Sequence, residues 1–101
     1  MAEFIIRIEF RKSKSKSYYE KIRVELKNEG FRSSTLINES LVQLPIGEFY
    51  INTNMSTKEI IKTVKNALVD IQNEYSILVS EVVNIDSDNL IDGYIVNYRT
   101  Q

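Results

Sequence analysis

Near the N-terminus, Phe4, Ile6, Ile8 and Phe10 alternate with Ile5, Arg7 and Glu9. Period-two alternation belongs to a β-strand with one face buried and the other left open. The chain must therefore build a sheet whose second face carries charge, with Arg7 and Glu9 upon it. Such a sheet needs a layer of helices to cover Phe4, Ile6, Ile8 and Phe10.

Two helical stripes supply that layer. From Ser17 to Glu29 the positions Tyr18, Tyr19, Ile22 and Leu26 share one face, and Gly30 offers the left-handed residue that commonly ends a helix. The second helix has the strongest local signal: Ser56-Thr57-Lys58-Glu59 is a capping box, with Met55 before it and Ile60 inside it forming a hydrophobic staple. Ser56 is the expected N-cap. Ile60, Ile61, Val64, Leu68 and Ile71 form its apolar stripe, leaving Lys58, Lys62 and Lys65 to solvent.

Between the helices, residues 31–37 read as a second strand, Asn38-Glu39-Ser40 as a turn and residues 41–53 as a third strand that Pro45 and Gly47 bend, giving a hairpin. Residues 75–83 are a nearly continuous apolar run suited to a central strand covered on both faces, and residues 94–99 alternate again after a polar loop. The order predicts a single α+β domain over residues 1–101. Its architecture is a ferredoxin-like βαββαβ sandwich with an additional C-terminal strand. The open sheet face would show Ile5, Arg7 and Glu9, with Glu48 and Tyr50. An extra strand over residues 94–99 would leave Tyr94 and Tyr98 on an open edge, which predicts a two-fold homodimer through this segment, or its folding back on its own sheet.

Composition narrows the chemistry. The 101 residues are 43% apolar, enough for one small core. With no cysteine there is no disulfide framework or thiolate chemistry, and with no histidine the usual proton-transfer residue is missing. Catalysis would run on Arg, Lys, Tyr, Asp or Glu. No stretch approaches the roughly 18 apolar residues of a membrane span, and the N-terminus enters a strand directly, so the expectation is a soluble, cytoplasmic protein without membrane insertion.

Charge is divided along the chain. Residues 1–37 hold nine Lys or Arg against five Asp or Glu, net +4, and residues 38–101 hold four against nine, net −5. The positive part concentrates between strand one and helix one as Arg11-Lys12-Ser13-Lys14-Ser15-Lys16-Ser17. A cation-rich strand-to-helix turn suits a polyanion such as RNA, and equally a solvated surface loop. Arg7, Arg11, Lys12, Lys14 and Lys16 are the candidate RNA contacts.

Other patterns weigh less. Arg7 and Glu9 can hold a phosphate and accept a proton, or simply pair on a solvated sheet face. Tyr50, Tyr94 and Tyr98 can stack bases or make packing contacts. Asp86-Ser87-Asp88-Asn89 opens like a calcium loop, but Leu90 and Ile91 stand where an acidic residue and Gly are required, so it reads as an acidic turn and no metal is expected. Arg23, one position beyond Ile22 at the stripe's edge, can clamp a phosphate bidentately or form a salt link to Glu20 or to the Glu residues flanking Lys27.

Arg23 followed eight residues later by Phe31, then Ser33-Ser34, Leu44-Pro45-x-x-Glu48-Phe49-Tyr50-Ile51, Ser56-x-x-Glu59-Ile60 and Tyr75-Ser76-Ile77-Leu78-Val79, resembles the GhoS antitoxin family over about residues 3–83. That resemblance implies a fold similar to the CRISPR adaptation endoribonucleases and membership of a type V toxin–antitoxin system. It also implies cleavage of single-stranded RNA, the messenger of a small membrane toxin. The family's helix-one arginine, implicated in cleavage, falls on Arg23. Where the family has an acidic residue just beyond strand one, this chain has Arg11, with Glu9 two positions earlier. The expected chemistry is attack of a ribose 2′-OH on its own phosphate without metal or cofactor, with Arg23 stabilising charge and Glu9 or a tyrosine as base. The rival from another class is a non-enzymatic module, such as a small regulator or inhibitor from a mobile element, that binds a protein partner through its sheet.

Overall fold

The first strand, β1 (Ala2–Phe10), buries Phe4, Ile6, Ile8 and Phe10 and turns Glu3, Ile5, Arg7 and Glu9 the other way. It lies at the centre of the sheet in a computed structural model that describes residues 1–11, 16–71 and 74–91. Further along the chain come α1 (Lys16–Asn28), β2 (Ser34–Ile37), β3 (Ser40–Gln43), β4 (Glu48–Thr53), α2 (Thr57–Ala67) and β5 (Tyr75–Glu81). The fold is α+β, with two helices and five strands among the described residues.

One antiparallel sheet has the order β4-β1-β5, and β2 with β3 forms a separate two-stranded sheet. Phe4 stands opposite Ile51 of β4 and Glu81 of β5; Arg7 stands opposite Glu48 and Leu78. Ile22 and Leu26 of α1 and Ile60 and Val64 of α2 pack with Leu68 against the buried face of β1, closing one core with Phe31, Phe49 and Ile51. The other sheet face has no helix upon it among the described residues.

This differs from the expected four-stranded βαββαβ sheet, and the causes are local. Only Arg32, of the segment expected as strand two, pairs with β4: it exchanges both backbone hydrogen bonds with Tyr50, at 2.9 and 2.7 Å. The chain then leaves the sheet as the β2–β3 hairpin. Asn38 and Glu39 both take positive φ, 51° and 68°, closing a two-residue turn between Ile37 and Ser40. The expected third strand is cut between Gln43 and Glu48. Glu48 N–H donates to the Pro45 carbonyl at 3.0 Å, and Gly47, with φ 88°, supplies the positive angle of that turn. A Cβ at Gly47 would stand 2.6 Å from the Ile8 carbonyl oxygen, because the turn lies directly against β1.

β5 is also not the central strand that its apolar run predicts. It flanks β1, with Tyr75, Ile77 and Val79 half-buried toward the helices and Leu78 63% exposed on the open face. The expected strand at residues 94–99 and the dimer built on it lie outside the described residues.

Both helix ends follow their signals. Phe31 N–H reaches the Leu26 carbonyl and Gly30 N–H the Lys27 carbonyl, each at 3.0 Å, with Gly30 at φ 94°. These are the paired bonds of a Schellman ending, and Phe31 and Leu26 are both buried beside it. At α2, the Ser56 side chain accepts from Glu59 N–H at 3.1 Å and Glu59 Oε1 accepts from Ser56 N–H at 2.9 Å. Met55 packs on the core that holds Ile60.

Candidate functional site: the Arg23 cleft and the open sheet face

Ile22 is fully buried, so the helix turns its neighbour Arg23 to the rim of the core, where the side chain is only 25% exposed. One turn earlier on the same helix, Glu20 accepts a hydrogen bond from Arg23 Nη2 at 2.6 Å. The i, i+3 spacing makes these two neighbours on the helix surface. The pair borders a cleft of about 650 Å³ between α1, Ser33 and Ser34, the Leu44–Glu48 turn, and Asn89 to Ile91. Its polar lining residues include Arg23, Glu20, Glu48, the two serines and Gln43.

The walls have separate origins. The hairpin root brings in Ser33 and Ser34, whose ladder is extended by a 2.9 Å bond from Leu44 N–H to the Ser33 carbonyl. The closing wall comes from far along the chain: Gln43 N–H donates to the Ile91 carbonyl at 2.8 Å, and Asn38 Nδ2 donates to Asp86 Oδ1 at 3.1 Å. The acidic turn thus fastens residues 86–91 along the hairpin. Among the described residues no cluster of three or more Asp or Glu is placed to hold a metal ion.

The open sheet face is a second surface. There Arg7 Nη2 lies 3.3 Å from Glu9 Oε2, both side chains well exposed. Tyr50 donates its hydroxyl to Glu3 Oε1 at 2.6 Å. These two sit diagonally across β1 and β4, since Glu3 faces Asn52 and Ile5 faces Tyr50. Partial burial, followed by the hydrogen bond and negative charge of Glu3, pushes the Tyr50 phenol up to about 12, against a smaller opposing pull from Arg32. A phenol so raised stays protonated near neutral pH and acts as a donor.

The predicted site residues are therefore distributed. Arg7 and Glu9 are brought together, whereas Arg23 lies on the helix side of the sheet, with Glu20. Arg11 bonds through its backbone to the Glu74 carbonyl at 3.1 Å and holds Glu74 Oε2 at 3.9 Å with its side chain, beside the start of β5. Lys12 and Lys14 lie outside the described residues; Lys16 opens α1, and its side chain lies outside them too. Strand alternation places Glu48 only on the open face, yet it borders the cleft. Its position follows from the turn at Pro45 to Glu48, for which the Pro-x-Gly spacing is the available signal.

No helix among the described residues is long and apolar enough to cross a membrane. Compared with known proteins, the sequence matches no family model and no curated relative.

Proposed function

We propose that this chain is an antitoxin-like endoribonuclease acting on single-stranded RNA in the cytoplasm, with the Arg23 cleft as its site. The observation that carries the reading is a half-buried arginine beside glutamates and serines in a cleft of nucleotide size. The chemistry is transfer of a phosphodiester to the neighbouring ribose 2′-OH. The 2′ oxygen bonds to phosphorus as its proton passes to a carboxylate, the bond to the 5′ oxygen breaks, and that oxygen takes a proton from solvent water, to which the carboxyl then returns its own. Arg23 neutralises the charge growing on the non-bridging oxygens. Glu20, already in contact with Arg23, is better placed than Glu9 to be the base, because Glu9 is on the other side of the sheet. The ferredoxin-like reading belongs with this proposal: β1 lies between β4 and β5, both helices cover one face, and the Arg32–Tyr50 pair stands where a fourth strand would begin.

A non-enzymatic interaction module is the second reading. It is favoured by apolar side chains left outside the core, Leu78 in the sheet and Leu36 on the hairpin.

Incubation of the full chain with a panel of labelled RNAs, with and without chelator, separates the two. The first reading expects cleavage that survives chelation and leaves 2′,3′-cyclic phosphate ends. It also expects Arg23→Ala and Glu20→Gln to lower the rate by about 100-fold or more at an unchanged melting temperature. No cleavage of any RNA, or full activity in Arg23→Ala, overturns it.

A further inference from the structure

The outer edge of β5 can be read atom by atom from its pairing with β1. Val82 N–H donates to the Glu3 carbonyl at 2.8 Å, and Arg11 N–H to the Glu74 carbonyl at 3.1 Å, at the two ends of the ladder. Antiparallel pairs alternate between bonded and non-bonded, so the bonded pairs between these ends are Ile5 with Ser80, Arg7 with Leu78 and Glu9 with Ser76. The backbone groups of Tyr75, Ile77, Val79 and Glu81 consequently point away from β1. Among the described residues nothing accepts from or donates to them. The other edge of the sheet differs, since Tyr50 of β4 is already bonded to Arg32.

Exposed sheet edges are usually protected by a charge, a proline, a bulge or a covering element. From Tyr75 to Ser80 this edge has no charge and no proline, and its ladder to β1 runs without a bulge. It is also self-complementary. Reversed about Leu78, the sequence Ser76-Ile77-Leu78-Val79-Ser80 gives the same pattern of hydroxyl, branched and apolar side chains.

We propose that β5 is a homodimerisation edge, pairing antiparallel with β5 of a second copy about a two-fold axis at Leu78. In that register Ile77 bonds to Val79 of the second copy, and Tyr75 to Glu81. Each of these residues is one whose backbone groups point outward, so the available donors and acceptors meet in up to about eight hydrogen bonds. Ser76 lies opposite Ser80 of the second copy, and no like charges are opposed. On the open face the two Leu78 side chains cover each other. On the helix face, half-buried Ile77 and Val79 continue the core across the junction. Slipping the register by one residue would oppose outward-pointing groups with inward-pointing ones, and slipping it by two would leave Tyr75 or Glu81 without a partner in β5, so only the Leu78 axis pairs all four outward residues. The product is one six-stranded sheet with a single continuous open face. This pairing does not depend on the RNA reading.

The test uses the full chain. Sedimentation is expected to show a concentration-dependent dimer for the native sequence. Leu78→Lys and Leu78→Glu should each be monomeric at the same concentration, because like charges then face each other across the axis, and mixing the two should restore the dimer. A second measurement does not depend on those variants folding well. The two Leu78 Cα atoms of this non-bonded pair lie about 4.5 Å apart, within disulfide range. The chain has no cysteine of its own. Leu78→Cys should therefore form a disulfide-linked dimer under mild oxidation at least about tenfold faster than Ile46→Cys, an exposed position on the cleft turn. A native chain that remains monomeric up to about 1 mM, a concentration typical of weak association, overturns the proposal. So does a dimer that persists in Leu78→Lys, held then by another segment such as residues 94–99, or equal rates for the two cysteine variants.

Discussion

Ser56 and Glu59 satisfy each other's backbone donors at the start of α2, and removing the hydroxyl leaves Glu59 N–H without its acceptor. Ser56→Ala is expected to destabilise the fold by about 1 kcal/mol, read as a lower denaturant midpoint with an unchanged slope. The Ser56 backbone and side-chain bonds hold the Glu59 carboxyl below its usual value. A group depressed in the folded state contributes stability above its unfolded value and loses that contribution as pH falls through the folded one. Denaturation of Ser56→Ala across the acid range should accordingly show a shallower loss of stability than the native chain. Tyr50 behaves in the opposite sense. Its value is raised to about 12 in the folded state, so its contribution is complete below the ordinary phenol value near 10 and disappears as pH climbs from there toward 12. Phenolate absorbance should show one tyrosine titrating late, and Tyr50→Phe should remove that late step; a titration in which every tyrosine ionises near pH 10 contradicts the Glu3 bond.

At the scale of elements, the β2–β3 hairpin carries a conformational cost that can be relieved. Its two turn residues are both left-handed, and the second, Glu39 at φ 68°, is neither Gly nor Asn. Glu39→Gly should stabilise the protein by about 0.5–1 kcal/mol, measured by chemical denaturation. The same turn shows what the sequence can reveal. α2 and its cap are legible because the capping box lies within four residues, and β1 because its alternation has a single reading. The hairpin is legible as a hairpin but not as a departure from the sheet, because the turn at Asn38-Glu39 fixes only how β2 pairs with β3 and not where the pair lies. β5 is misplaced because Ile77-Leu78-Val79 is apolar on both faces, and apolarity alone does not say whether the second face is covered. The candidate site divides along the same line. The Arg23–Glu20 pair can be anticipated from helical spacing, whereas the Tyr50–Glu3 bond spans 47 residues and depends on the β1–β4 register. Glu48 enters the cleft only once the Pro45 turn is in place.

For the whole molecule, the +4 to −5 division of charge sets the expected behaviour toward RNA. Affinity should fall as salt rises, and changing Lys12, Lys14 and Lys16 together to Ser should both weaken binding and flatten that dependence, by roughly one unit of log–log slope for each phosphate no longer neutralised. An unchanged slope would place the RNA elsewhere. The position of β1 has a further consequence, for the order in which the chain can fold. β1 precedes both of its partners, at residues 48–53 and 75–81, so almost the entire described chain must be synthesised before its second edge can be satisfied. Pairings this distant in sequence slow folding, toward milliseconds to seconds for a domain of this size. During that interval Phe4, Ile6, Ile8 and Phe10 stand exposed on a nascent strand that has neither neighbour. A chaperone that binds extended apolar segments as they leave the ribosome would meet this strand before either of its partners, and would have to hold it until both have been made.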